Sequence, residues 1–176
     1  WVHLTALAGV MIANTLVMDK ELLAERSTMQ PGTKRWDMAL SVYVALLGPL
    51  LVFLTAGLSM RFNWMRITSS AGHAAALFLF LLGAAIATWA MHVNRFFSAT
   101  VRIQHDRAHI VVSSGPYRYV RHPGYLGGIV GILATAVVLG SWAALLPGVL
   151  VAAGYLYRTQ REDAALMEEL NGYRHY

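Results

Sequence analysis

Two short stretches of the chain concentrate side chains able to hold a small polar ligand. One is Arg121-His122-Pro123-Gly124-Tyr125, and the other is Arg158 with Glu162. Pro123 disfavours the helical region for His122 and suits a first helical turn itself, so a helix is expected to start there. The free amides of that turn would suit an anionic group. His122 can donate or accept a hydrogen bond, and Tyr125 offers a ring and a hydroxyl. Arg158 and Glu162 stand four apart and share a helix face. Glu162 can accept from a sugar hydroxyl or an amino group, while Arg158 can grip a carboxylate as a two-pronged fork. Plainer readings stand beside these: a helix start anchored at lipid headgroups by Arg and Tyr, and a salt bridge on a solvated helix. Gly124, Gly127, Gly128 and Gly131 give two GxxxG spacings, which close helix packing explains and which also suit close approach of a cofactor. The absence of cysteine excludes disulfides, thiolate metal sites and cysteine nucleophiles together. His105 and His109 are four apart, but no third ligand is evident and no metal site is expected. No Ser/His/Asp arrangement and no phosphate-binding glycine loop is readable.

The elements that must position these residues are built for lipid. Of 176 residues, 57% are hydrophobic and 13% charged, with mean hydropathy +0.50; soluble domains carry roughly 25% charged residues. Three runs free of Lys, Arg, Asp and Glu, from Trp1 to Met18, Met38 to Met60 and Gly72 to Met91, approach the ~20 residues that cross a bilayer. A polar stretch from Asp19 to Asp37, turning at Pro31-Gly32, joins the first two, and a link holding Arg61, Asn63 and Arg66 joins the second to the third. The section from His92 to His122 is too polar to span and breaks at Gly115-Pro116. From Pro123 to Tyr157 the chain is apolar for ~52 Å of helix, too long for one crossing. Gly140-Ser141 is the expected reversal, giving a hairpin of Tyr125 to Leu139 and Trp142 to Tyr157. An amphipathic helix from Arg158 to about Leu170 follows, stopped by Asn171-Gly172. The expected fold is therefore all-α: a polytopic membrane helix bundle of about five transmembrane helices, the last two a helical hairpin. Residues 1–93 would form three N-terminal spans, and residues 94–176 a catalytic region of polar connector, hairpin and C-terminal helix.

With the N-terminus outside, twelve of the fourteen Lys and Arg residues fall on the cytoplasmic side and only Arg61 and Arg66 outside. The net charge of +5 thus marks a membrane face; with no basic run of five, nucleic acid is not an expected partner. An antiparallel hairpin returns the chain to the side it entered. Arg121-His122-Pro123 and Arg158 to Glu162 are then expected at one rim, facing the cytoplasm, where ionisable groups at a bilayer are functional candidates.

Two segments carry a family resemblance: GPYRYVRHPGYLG at Gly115 to Gly127, and RTQREDAALMEEL at Arg158 to Leu170. An RHPxY before an apolar hairpin, with Arg and an acidic cluster after it, resembles the isoprenylcysteine carboxyl methyltransferase family of membrane methyltransferases. Phospholipid methyltransferases share much of the pattern. The likeness covers Asn94 to the C-terminus, and the acidic cluster is Arg161-Glu162-Asp163 where relatives often show a longer glutamate run. The resemblance implies S-adenosyl-L-methionine as methyl donor, with S-adenosyl-L-homocysteine as product. By position it implies cofactor contacts at Gln104, His109, Ile110, Val111, Val112, Tyr117, Arg121, His122, Pro123, Gly124, Tyr125 and Glu162. Arg158 takes the place of the residue used toward a substrate carboxylate. The acceptor would be lipophilic or prenylated, reaching the site from the bilayer. Two alternatives remain: an NADPH-dependent reductase of the sterol type, whose members usually have more helices, and a non-enzymatic scaffold or transport subunit.

Overall fold

The computed structural model describes every residue except Trp1, Asp19 and Met29, so the start of the first apolar run and of the first polar loop lie outside the described residues. Seven α-helices follow one another: α1 (Val2–Val17), α2 (Lys20–Ser27), α3 (Arg35–Val42), α4 (Gly48–Phe62), α5 (Ser70–Val93), α6 (Pro123–Val138) and α7 (Leu145–Glu169). No strand is present among the described residues.

Helices α3 and α4 form one rod, Arg35–Phe62, joined by a π-helical turn over Tyr43–Leu47. Pro49 explains the turn. It has no N–H for the carbonyl four residues back, and its ring crowds that carbonyl, so the helix widens instead of breaking. This rod and α5 are long and apolar enough to cross a bilayer. Their outward residues are apolar as well: Leu46, Leu50, Leu54 and Leu58 on the rod, and Phe78, Leu81 and Leu82 on α5, are all exposed. An apolar surface of that extent is made for lipid rather than water. Among the described residues, two helices have that full length. The apolar part of α1, α6 and the lipid-facing half of α7 are shorter.

The reversal falls where expected. Gly140 adopts φ +75° after α6 ends, a conformation that costs residues with a Cβ. Ser141 accepts a hydrogen bond from the Ala144 amide through its hydroxyl, starting the return. The tip is tied to the link between α4 and α5 by Ile67 N to Gly140 O and Trp142 N to Met65 O. Exposed Trp64 and Trp142 share that end, as aromatic residues do at a membrane interface. The expected boundary between hairpin arm and amphipathic helix at Arg158 is absent. Tyr155 to Glu169 contains neither Gly nor Pro, and α7 runs on unbroken until Gly172 turns at φ +85°.

Backbone meets backbone most closely where α5 packs against α6. A Cβ on Gly127 would lie 2.4 Å from the Gly83 carbonyl oxygen, and one on Gly83 2.7 Å from that of Gly127. Without a hydrophobic force between helices in lipid, such backbone contact is what holds them. Of the glycine string, Gly127 packs on backbone, Gly124 and Gly128 leave room for the rings of Phe97 and Tyr155, and Gly131 faces open space.

Candidate functional site

The hairpin brings its two ends to one rim. His122, just before α6, approaches two neighbouring acids of α7: its Nε2 lies 3.3 Å from Asp163 Oδ1, and its Nδ1 4.0 Å from Glu162 Oε2. Tyr125, one helical step further, stacks on the His122 ring at 5.6 Å and donates its hydroxyl to Glu162 Oε2. Tyr173, beyond the Gly172 turn, donates to Asp163 Oδ1 at 2.7 Å, and Arg121 pairs with the same carboxylate at 3.1 Å. Burial alone pushes Asp163 upward, but the bonds from Tyr173 and His122 and the charge of Arg121 outweigh it and hold its pKa below the usual value. Asp163 is therefore held ionised beside Glu162, its charge paired with Arg121.

Below the rim lies a cavity of about 350 Å³, within the range of small-molecule sites. Its walls come from every part of the chain. The connector supplies Phe96 to Thr100 and His109 to Val112, the hairpin Gly124, Tyr125, Gly128 and Tyr155, and the N-terminal helices Asn14, Arg26, Val44 and Ala45. The cavity is thus lined by residues on both sides of the 93/94 division. Ala45, exposed on the lipid-facing rod, and Asn14, bound by Thr88 at 2.6 Å, wall its membrane end. The connector is fixed by an ion pair to α2: Arg102 grips Glu25 with two bonds of 2.8 Å and adds Asp106 at 2.8 Å. His109 packs tilted against Phe96 with ring centres 4.5 Å apart, and its Nδ1 accepts from the Gln104 backbone amide at 3.4 Å. Burial, and then the charges of Arg102, His105 and Arg107, press its pKa down to about 4. It is neutral at physiological pH.

Of the expected site residues, His109, Ile110, Val111, Val112, Tyr117, Arg121, His122, Gly124, Tyr125, Arg158 and Glu162 all face this cavity. Gln104 and Pro123 do not. Gln104 is buried behind the wall, its amide donating to Phe96 O at 2.8 Å and accepting from Arg107 at 2.7 Å, so it shapes the connector. Pro123 is buried at the start of α6 and sets the angle of His122.

Arg158 departs from its expected role as a free fork. Its Nε donates to Asp37 Oδ1 at 2.7 Å and one Nη to Asp37 Oδ2 at 2.9 Å, with a third bond to Ala99 O at 2.8 Å. Asp37 is fully buried and also accepts from Val101 N at 2.6 Å and Ser41 at 2.9 Å. The two-pronged face is therefore occupied by the protein itself. Only the other Nη, without a hydrogen-bond partner among the described residues, is left for a ligand, with the guanidinium 5.2 Å from the Tyr125 ring centre. Asp37 escaped sequence reasoning because its partner stands 121 positions away. Its one signal was a carboxylate entering an apolar run, which a membrane helix tolerates only when paired. Tyr155 and Tyr173 were missed because aromatic residues in and after a membrane hairpin read equally well as interface anchors.

Fold and site together define a helical protein, with helices long and apolar enough to cross a bilayer, that holds a cavity of mixed apolar and charged lining at one end of a hairpin. The sequence model of the isoprenylcysteine carboxyl methyltransferase (ICMT) family matches residues 75–168, more than half of the chain. The chain belongs to that family. A stretch of 56 residues is 34% identical to the protein-S-isoprenylcysteine O-methyltransferase of Schizosaccharomyces pombe, covering 32% of this chain and 24% of the relative. The similarity thus spans about a quarter of that relative's length.

Proposed function

We propose that this protein is a multi-pass membrane methyltransferase that uses S-adenosyl-L-methionine to methylate a lipophilic carboxylate of the isoprenylcysteine type, with its site open to the cytoplasm. The observation that carries this reading is the single cavity walled by His122, Tyr125, Arg158 and Glu162, acidic at its outer rim and cationic deeper in.

The donor fits what the residues offer. A cationic, water-soluble molecule with an amino group suits the Glu162 and Asp163 rim, and the apolar wall of Ile110, Val111 and Val112 beside Phe96 suits a flat ring system. S-Adenosyl-L-methionine, when bound, supplies an electrophilic methyl group. The chain's own residues then have three tasks. Glu162, held by Tyr125, orients the donor's amino group. Arg158, braced by Asp37, keeps positive charge beside the reacting carboxylate. The rings of Tyr125 and Tyr155 exclude water from between the two reactants. A carboxylate with a free-acid pKa near ~4 is already ionised, so no general base is required. Alignment of two bound reactants accounts for on the order of 7–11 kcal/mol of such a barrier, and no nucleophile is missing. The polar cap carries most of the chain's Lys and Arg, which supports a cytoplasmic face.

Titration of the detergent-solubilised protein with S-adenosyl-L-methionine, S-adenosyl-L-homocysteine and NADPH tests the reading. Saturable binding of the first two, weakened tenfold or more by Glu162→Gln, is expected. Binding of NADPH alone would instead support the reductase alternative, and no binding of any of the three would support a scaffold.

A further inference from the structure

Four arginines line the cavity: Arg26, Arg102, Arg121 and Arg158. Three have a carboxylate of their own, namely Glu25, Asp163 and Asp37. Arg26, on α2, has none among the described residues. Its Nη1 donates to the Phe97 carbonyl at a long 3.3 Å, and its guanidinium lies 5.2 Å from the centre of the Phe97 ring. That ring is locked from behind, since a Cβ on Gly124 would lie 2.5 Å from it. Arg26 is therefore held in place by an aromatic shelf rather than by an acid. It shares the space with Tyr125, Tyr155 and the like charge of Arg158, and burial followed by Arg158 makes its charged form less favourable. A guanidinium stays charged in proteins regardless, so a carboxylate placed beside it would relieve that cost.

We infer that Arg26 is the acceptor's carboxylate-binding residue, the cation whose missing partner arrives with the substrate. This rests on the proposed methyl transfer and names the group that selects an acid over a neutral lipid. The position favours the acceptor's carboxylate over the donor's. Tyr155 stands seven residues, or ~10 Å of helix, from Glu162 toward the membrane. Arg26 stands near both Tyr125 and Tyr155, whereas Asp163, paired with Arg121 and His122, lies at the outer rim. Ala45 and Asn14 line the same cavity as Arg26, so a lipophilic molecule held against them is within the space that Arg26 faces. With the fork of Arg158 closed by Asp37 and Arg121 paired with Asp163, Arg26 is the cavity guanidinium with no acid of its own among the described residues, and it can offer a carboxylate two parallel bonds.

The test uses the full chain in detergent, with N-acetyl-S-farnesyl-L-cysteine and its methyl ester as probes, in the wild type, Arg26→Gln and Arg26→Lys. Binding is read by tryptophan fluorescence and transfer by methyl incorporation. Arg26→Gln is expected to weaken the acid at least tenfold while leaving the ester and S-adenosyl-L-homocysteine unchanged, and Arg26→Lys to recover part of the loss. A fall in S-adenosyl-L-homocysteine affinity alone would assign Arg26 to the donor and overturn the inference. Equal losses for acid and ester would make its role structural, and a wild type that binds acid no better than ester would overturn it as well. Selective acid binding without methyl incorporation would keep Arg26 as an acid-binding residue and defeat the proposed reaction instead.

Discussion

The seam between α5 and α6 and the polar cap over the cavity are held together by opposite means. At the seam, contact depends on atoms that are absent: Gly83 and Gly127 let two backbones meet. In the cap, contact depends on long side chains reaching far along the sequence, Arg158 to Asp37 across 121 positions and Arg102 to Glu25 across 77. The seam lies among apolar residues where lipid competes on equal terms, so only close fit can favour helix over lipid. The cap stands at the water boundary, where hydrogen bonds compete with solvent and survive because the groups are buried together. A site built in the cap inherits that dependence. Its guanidinium and carboxylate groups are positioned by partners on other helices, so a change in one wall is felt across the cavity.

Asp37 offers the sharpest way to break the comparison. Asp37→Ala leaves Arg158 buried without its carboxylate and also strands the Val101 amide. Removing one partner of a buried pair typically costs about 3–5 kcal/mol, so a large drop in the unfolding temperature in detergent is expected. Asp37→Ala combined with Arg158→Met should regain much of that loss, because no charge is then left unpaired. A single variant as stable as the wild type would show that the cap is not held by its ion pairs.

At the seam the effect is smaller and steric. Gly127→Ala places a methyl group 2.4 Å from the Gly83 oxygen and 3.0 Å from the Ala87 amide, so one backbone must move. Overpacking of this kind costs about 1–3 kcal/mol. Gly131→Ala, with nothing within 4 Å of the added atom, should be neutral or slightly stabilising on the same helix. Matching melting temperatures for the two variants would remove the seam's claim to depend on glycine.

What the sequence made legible follows the same division. The hairpin, its reversal at Gly140 and the meeting of His122 with Glu162 were readable because each follows from local chemistry plus length: a proline start, a glycine turn, and an apolar run too long for one crossing. The continuity of α7 through Arg158 was not, because a change from apolar to charged composition alters what a helix faces without ending it. The occupied fork of Arg158 was invisible for a different reason. A one-dimensional chain shows that an arginine has an acid four residues on, as Glu162 is, but not that another acid on a distant helix is closer. The structure chose Asp37, and Glu162 was left to Tyr125 and the rim.

The smallest expected effect concerns pH and separates the cap from the seam without altering either. His109 has its pKa pressed to about 4 in the fold, first by burial and then by three neighbouring positive groups, against 6.5 for a free histidine. Between pH 6.5 and about 4 the unfolded chain therefore takes up a proton that the folded chain refuses, and stability must fall as pH falls through that window. Glu25 and Asp163, both held low by their partners, add to the loss only nearer the ordinary carboxylate range. The interval from pH 6.5 to 5 thus reports mainly on histidine. There a loss of about 1 kcal/mol is expected, discounted for the water that still reaches the ring. His109→Gln removes the titration while keeping a polar group beside Phe96. Its melting temperature should be flatter over that interval than the wild type's, whereas Gly131→Ala, remote from the cap, should keep the wild-type slope. An unchanged slope in His109→Gln would mean that the ring is solvated in the native state, and the packing of His109 on Phe96 would then not hold it from water.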